Sequence, residues 1–444
     1  MSEVPTAMEI YKLLPKTNCG ECKFPTCLAF AMQLANQKVA LEACPHVSSE
    51  AKAALEESGA PPIRLVTFGA GELAAKMGDE TQLFRHDKTF YNPTVLGLIA
   101  DDSDGLDGVK SKLDEAQAMS FERVGQILRV DSVAIRHSSG SPEDFVAAVK
   151  AAAEKGLPVT IMCDDPAIAS KAVEACADKK PLLYRATASN FDDMVALAKD
   201  KSLPLVVSAP GLDELAELAD KAKKAGLNDL VLEPGVQTSA DMLVNMTAIR
   251  RAAVKNKFRP LGFPTIAVLG PTEAEHMKAA LGVMKYSSAV LMDTMPREMV
   301  YPLLALRQNI FTDPQVPIQV KAGLYSVGEP TDKSPVMFTT NFSLTYFTVR
   351  ADIEKSKVPA WLLVVDTEGQ SVMTAFAAGK LTPESVAKAI EDFQVKEKSS
   401  RNEIILPGMV SRMSGKLGEL TDMKITVGPR ESSGLPKLMK TFSG

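Results

Sequence analysis

Val159-Thr160-Ile161-Met162 runs directly into Cys163-Asp164-Asp165-Pro166. Four apolar or β-branched residues predict a buried strand. An acidic residue before a proline predicts the start of a helix, with the proline in its first turn. The same unit recurs in both directions. Apolar runs fall at 96–100, 133–135, 182–184, 205–207, 230–232, 266–269 and 289–292, with helical stretches between them. Eight βα units in succession predict a (β/α)8 barrel, with a doubly wound open sheet as the alternative. An earlier strand at 64–68 is expected to be a cover or hairpin. Asp101, Asp102, Asp164, Asp165, Ser208, Glu233 and Asp293 follow strands and would lie at the C-terminal rim, where catalytic groups of barrels sit. The same residue types also cap helices. No metal-binding histidine set, nucleophile elbow or phosphate loop accompanies them, so a scaffold or docking role is expected of the barrel.

Toward the N-terminus the composition changes. Four of the six cysteines, Cys19, Cys22, Cys27 and Cys44, lie in the first 44 of 444 residues. Their thiolates can wrap one [4Fe-4S] cluster, with Gly20 allowing a tight turn and the Phe24-Pro25 and Cys44-Pro45 pairs limiting chain freedom. A helix is expected over 28–38. Structural zinc is the competing reading, with His46 as the next available ligand, but zinc sites favour paired cysteines or cysteine with histidine. Cys163 and Cys176 sit among apolar residues and are expected in the core. A helix-like stretch at 50–60 ends at Pro61-Pro62, which marks a linker.

Beyond Pro314, Pro317, Pro330 and Pro335 the α/β pattern resumes. Strands are expected at 336–339, 361–365, 403–406 and 424–427, and helices at 343–356, 371–378, 383–394, 409–420 and 432–442. In a parallel sheet the turns after these strands gather on one edge, the usual place for a cofactor. The candidate binding residues are Thr340 and Thr345, then Gly369, Gln370, Ser371, Val372, Met373, Thr374 and Ala375. Gly408 and Met409 follow, and then Gly428, Pro429, Arg430, Glu431, Ser432 and Ser433. Such residues also make ordinary turns.

The divisions expected are therefore 1–58, 59–325 and 326–444. A net charge of −5 without a basic run argues against nucleic acid as a partner. No apolar stretch approaches the roughly 18 residues that cross a membrane, and the start Met1-Ser2-Glu3-Val4-Pro5 lacks signal-peptide character, so a cytoplasmic location is expected. In that reducing compartment clustered cysteines bind metal or do redox chemistry.

Three segments together carry a resemblance that spans the whole chain. They are Cys19-Gly20-Glu21-Cys22-Lys23-Phe24-Pro25-Thr26-Cys27 with Cys44-Pro45, Leu83-Phe84-Arg85-His86-Asp87-Lys88-Thr89-Phe90, and Gly369-Gln370-Ser371-Val372-Met373-Thr374-Ala375-Phe376-Ala377-Ala378-Gly379. The chain resembles the large subunit of corrinoid iron–sulfur proteins of the reductive acetyl-CoA pathway, related to the gamma subunit of archaeal acetyl-CoA decarbonylase/synthase. The resemblance implies an N-terminal [4Fe-4S] domain held by the four cysteines, a TIM barrel and a Rossmann-like corrinoid-binding domain.

It also implies a methyl carrier rather than an autonomous enzyme. Cobalt(I) of a cobalamin-type corrinoid would accept a methyl group from methyltetrahydrofolate through a separate methyltransferase. It would donate that group to the nickel centre of acetyl-CoA synthase. The cluster, fed by a low-potential electron donor, would reactivate cobalt(II). The implied assembly is a heterodimer with a smaller subunit. No histidine follows His276, so the corrinoid would be base-off without a protein imidazole, and the Thr374 region would face it without ligating cobalt. The Phe84–Phe90 motif is expected to be structural. The rival readings are a pterin-dependent barrel methyltransferase and an electron-transfer subunit binding a nucleotide or flavin. The last is weakened by the lack of a Gly-x-Gly-x-x-Gly after a strand in the final part.

Overall fold

A short antiparallel hairpin, β1 (Val66–Phe68) with β2 (Ala75–Met77), opens the central region. Then come β3 (Val95–Asp101) and a second hairpin of β4 (Ser120–Arg123) and β5 (Gln126–Arg129). They are followed by β6 (Ser132–Arg136), β7 (Val159–Met162), β8 (Leu182–Ala186), β9 (Leu205–Ser208), β10 (Leu230–Glu233), β11 (Ile266–Val268) and β12 (Ala289–Met292). This is a computed structural model, and it describes residues 6–36, 38–48, 51, 60–235, 238–271 and 275–442. Most of the helix expected at 50–60 lies outside the described residues.

Apart from the hairpins, the strands pair in parallel in chain order, and β12 returns to β3. A parallel bridge between Leu232 and Thr265 joins the two remaining edges, with Leu232 N donating to Pro264 O at 2.8 Å. The sheet is thus closed into a (β/α)8 barrel, not left as an open doubly wound sheet. Each strand is buried on both faces, which is why its sequence reads as a continuous apolar run.

The opening stretch behaves as its sequence predicts. Asp165 Oδ1 accepts from Ala167 N and Ile168 N at 2.8 and 3.2 Å, and Pro166 begins the helix Pro166–Glu174. Val66, Phe68, Ala75 and Met77 of the first hairpin pack with Val95, Leu182, Ile266 and Ala289, at the starts of barrel strands. The hairpin therefore closes the N-terminal end of the barrel. The Phe84–Phe90 motif fastens a helix: Arg85 donates to Ile310 O at 2.7 Å and Asn309 O at 2.8 Å, satisfying terminal carbonyls of Arg297–Phe311. Phe90 packs on Phe311 and Tyr286.

The last sheet contains β13 (Gly323–Val327), β14 (Val336–Thr340), β15 (Ala360–Val365), β16 (Glu403–Leu406) and β17 (Lys424–Val427), in the order β13-β15-β14-β16-β17. Only β13 is antiparallel. Apolar clusters cover both faces of the sheet, giving a Rossmann-like layered α/β fold. The β13 strand was not expected: its residues are mostly half-exposed, as suits an edge, and carry no apolar run. It runs across position 325.

The helix expected at 432–442 is broken into a turn at Ser432–Gly434, the short helix Leu435–Met439 and a turn at Lys440–Phe442. The one expected at 409–420 starts as a tight turn, Gly408–Met413, before Ser414–Thr421. Contacts divide the chain into two compact units. One runs through Phe121 and resumes over Leu128–Phe311; the other takes Glu122–Ile127 and the chain from Thr312. The cysteine segment groups with the barrel in this division. Among the described residues no helix is long and apolar enough to cross a membrane.

Candidate functional site

The cysteine head is built from two helices and a loop. Thr6 and Glu9 form a reciprocal capping box that starts Ala7–Leu13, and Thr26 caps Cys27–Ala35 through Ala29 N at 3.1 Å. Between them, Lys16, Asn18, Gly20 and Lys23 have positive φ, so the loop coils tightly. Asn18 Oδ1 accepts from Cys27 N at 2.8 Å and fixes that coil to the second helix. The expected helix 28–38 starts one residue earlier and ends at Ala35.

Cys22, Cys27 and Cys44 are buried together with Ile10, Leu14, Phe30 and Ala31. Cys19 is exposed. Its sulfur, a Glu21 oxygen and a His46 nitrogen lie within 4.8 Å of one another, with His46 Nε2 3.0 Å from Glu21 Oε2. Three cysteines buried in one apolar cluster suit a soft sulfur-ligated centre, while Cys19 lies exposed beside Glu21 and His46.

The C-terminal unit holds a cavity of about 430 Å³. Its floor is made by strand ends, Met337, Phe338 and Thr339 of β14 and Ile405 and Leu406 of β16. In chain order β15 lies on one side of β14 and β16 on the other, so the cavity sits where the winding reverses, the usual crevice of such sheets. Its walls are Leu344, Thr345, Thr348 and Val349 on the helix Ser343–Ser356, then Ser371, Val372 and Met373, then Pro407 and Met409, and finally 428–432 with Leu435. Ser433 lines a smaller adjoining cavity with Arg430 and Glu431.

Two turns stack closely on one side. A Cβ on Gly408 would stand 2.4 Å from Gly428 O, and one on Gly428 2.8 Å from Leu406 O, so only glycine lets them meet. Gly408 N donates to Pro429 O at 3.1 Å. Burial works against ionisation of Asp352, but hydrogen bonds from Lys355 and Ser432 outweigh it and hold the carboxyl below its usual value. The same contact ties the Ser343–Ser356 helix to the last turn.

Of the sequence-derived candidates, Thr345, Ser371, Val372, Met373, Met409, Gly428, Pro429, Arg430, Glu431 and Ser432 line the main cavity. Thr340, Gly369, Gln370, Thr374, Ala375 and Gly408 do not. Thr340 and Ala375 are fully buried, Gly369 backs onto Gln319, and Gly408 onto the 428–429 backbone. Thr374 is exposed, its hydroxyl 3.0 Å from that of Ser371. Sequence reasoning missed the strand floor and the continuation of the helical wall at Thr348 and Val349, although these lie three and four residues beyond Thr345, on one face of the helix. It also missed Asn341, the hub of the 366–369 turn.

The cavity fits a large, largely apolar cofactor held by backbone and small side chains. Gly408 and Gly428 let the turns that wall it approach each other closely. Thr339 Oγ1, Thr340 Oγ1 and Gln370 Oε1 are buried at or beside it without hydrogen-bond partners. No histidine is present after His276 to serve as an axial ligand.

The barrel mouth differs. Arg136 donates to both oxygens of Asp101, at 2.6 and 2.8 Å, and to Asp293. His137 Nδ1 is 2.7 Å from Asp102, and Glu233 accepts from Tyr184 at 2.7 Å and Arg185 at 2.9 Å. The groups expected at the rim are there, but they mostly satisfy one another.

Similarity to known proteins follows the same layout. The family model described as CO dehydrogenase/acetyl-CoA synthase delta subunit matches residues 65–439, and a model for an Fe-S cluster matches residues 14–46. The corrinoid/iron-sulfur protein large subunit of Moorella thermoacetica is 46% identical over 433 residues, covering 97% of each chain. The acetyl-CoA decarbonylase/synthase complex subunit gamma of Methanothermobacter thermautotrophicus is 36% identical over 446 residues, again covering 97% of each chain. Among solved structures, dihydropteroate synthase from Thermus thermophilus matches 55% of this chain and all of its own, at 18% identity and a TM-score of 0.40. With relatives aligned along nearly its full length, the chain belongs to the family of corrinoid/iron-sulfur protein large subunits and acetyl-CoA decarbonylase/synthase gamma subunits.

Proposed function

We propose that this protein is a methyl carrier of the acetyl-CoA pathway that holds a [4Fe-4S] cluster and a base-off corrinoid. The observation that supports this most is the cavity at the reversal of the last sheet, open and apolar, in a chain that shares its whole length with corrinoid/iron-sulfur proteins. Three functional parts are proposed: residues 1–58 for the cluster, 59–325 as barrel scaffold, and 326–444 for the corrinoid. Cys19, Cys22, Cys27 and Cys44 would hold the cluster. Thr345, 371–373, Met409 and 428–433 would hold the corrinoid, with Thr374 beside it and not on the metal.

When bound, the corrinoid supplies a cobalt that takes up and releases a methyl group, and the cluster supplies the electron that restores it after accidental oxidation. The chain's own residues shape that chemistry. Met337 and Ile405 give the cavity an apolar floor and Val349 an apolar wall, and the lack of a histidine leaves no imidazole donor from this domain. Ile10, Leu14 and Phe30 bury three of the four proposed cluster ligands, and the exposed Cys19 would leave an approach for an electron donor. The methyl group would come from methyltetrahydrofolate through a separate methyltransferase and go to acetyl-CoA synthase. A smaller subunit would complete the heterodimer. The barrel mouth, with its acids and arginines paired, supports a scaffold role over autonomous pterin-dependent catalysis.

The test is metal content after anaerobic purification with the small subunit and added corrinoid. About four iron and one cobalt per chain are expected. Iron without cobalt would instead indicate an electron-transfer subunit. Zinc in place of iron would overturn the assignment of the head.

A further inference from the structure

Asn341 directly follows β14 and is 3% exposed. Its side-chain oxygen accepts from Thr367 N and Gly369 N, each at 3.0 Å. Its side-chain nitrogen donates to Asp366 Oδ1 at 2.9 Å and to Gln319 Oε1 at 3.3 Å. The Thr367 hydroxyl, also 3.0 Å from the Asn341 oxygen, can give its one proton to Gln370 O at 2.9 Å. The amide then uses two acceptor and two donor positions, its full capacity. Its main-chain N–H donates to Val365 O and its carbonyl accepts from Val320 N.

One side chain thus ties the end of β14 to the turn after β15. That turn has little freedom to slide. Gly369 has φ +73, and a Cβ there would stand 2.6 Å from Gln319 Cγ. The cavity wall Ser371, Val372 and Met373 begins two residues later.

We propose that Asn341 is a positioning residue for the cavity: it sets where the 371–373 wall stands above the strand-end floor, and so how tightly the corrinoid is held. This rests on the reading of the cavity as the corrinoid site. Asn341 does not line the cavity, so a substitution there reaches the cavity only through the turn it holds. Aspartate is the most informative substitution. It keeps the acceptor for Thr367 N and Gly369 N, but sets a carboxylate against Asp366.

The experiment uses the full chain with its small subunit, free of corrinoid, and titrates it with cobinamide, a corrinoid without a lower base. Asn341→Asp is expected to weaken binding about tenfold or more, the scale of losing one or two buried hydrogen bonds. It is also expected to speed amide hydrogen exchange at Thr367 and Gly369 in the unloaded protein. The thermal midpoint should move by only a few degrees. The double variant Asn341→Asp with Asp366→Asn reverses the donor and acceptor between the two residues and should recover most of the affinity and the slow exchange. If Asn341→Asp fails to fold, Asp366→Asn alone, at an exposed residue, should still show faster exchange and a smaller loss of affinity.

Wild-type affinity and exchange in the single variants would overturn the proposal. So would a loss that follows overall unfolding and is not recovered by the double variant. If the wild-type protein takes up no cobinamide, the carrier reading fails, and the ligand proposed here fails with it. The exchange measurement on unloaded protein then still decides whether Asn341 holds the turn.

Discussion

The barrel mouth and the cavity of the last sheet occupy equivalent places, the C-terminal ends of parallel strands, and are furnished in opposite ways. At the mouth, Arg136 is engaged by Asp101 and Asp293, and Glu233 by Tyr184 and Arg185. At the cavity, the strand ends are mostly apolar, glycines bring two turns together, and buried hydroxyls are left without partners. Strand ends identify a place for chemistry in both sheets. What differs is how far the groups there are spent on one another: at the mouth Asp293 Oδ2 and Arg185 Nε are left without a hydrogen bond, but the acids and arginines are otherwise paired, while the cavity is lined mainly by apolar and small residues.

The strongest way to break this comparison is Gly408→Val. The new side chain would meet Gly428 O and Pro429, and corrinoid uptake should be abolished while iron content stays unchanged. Normal cobalt binding in this variant would move the site elsewhere. Arg136→Ala addresses the other half. It strands Asp101 and Asp293 and should destabilise the barrel by about 2 kcal/mol in denaturant unfolding, reduced from a fully buried pair because Arg136 is partly exposed. Corrinoid and iron content should not change. If methyl transfer collapses instead with stability intact, the barrel has chemistry of its own.

Acid sharpens the contrast more gently. The Arg136 hydrogen bonds hold Asp101 below its ordinary 3.8. Burial pushes Asp102 up, but hydrogen bonds from Ser138, His137 and Ser139 outweigh it and leave it lowered too. A depressed folded-state value stabilises the barrel above the unfolded value, and that stability is lost as pH falls through the folded value. The thermal midpoint should therefore hold at mildly acidic pH and drop below about pH 4. Arg136→Ala should flatten the part of that drop due to Asp101.

The smallest effect is expected at the barrel cysteines. Burial pushes the Cys176 thiol up to about 12 and raises Cys163 as well. Neither should react with a thiol reagent near neutral pH until the protein unfolds, as counted by mass spectrometry. Rapid native labelling of either would show that the barrel opens far more easily than its packing suggests.

Much of this layout was legible in the residues. Fully buried strands need continuous apolar runs, and the eight runs of the barrel are the eight strands. The four parallel strands of the last sheet also stand within a residue of their expected bounds. The strands missed are those without such a run. The β4–β5 hairpin is largely exposed, and β13 is an edge strand of half-exposed residues. Cysteine spacing was readable because ligands must converge from nearby positions. The identity of the cavity wall was less so: a strand-end turn names a neighbourhood, while side-chain direction depends on local backbone. Thr340 ends β14 in the core, and Thr345, in the first turn of the helix Ser343–Ser356, lines the cavity.

By itself the sequence determined the eightfold strand–helix alternation, the cysteine head and the absence of histidine after position 276. These depend on residue type and short-range spacing. Only the tertiary structure decided that the rim acids of the barrel pair with its arginines, that Gly408 and Gly428 stack, and that Asn341 gathers segments at 319, 341 and 366–369. Those facts join residues as distant in the chain as Asp101 and Asp293, which meet through Arg136. Closure of the sheet and the winding of its helices bring such residues together, and local pattern carries no record of it.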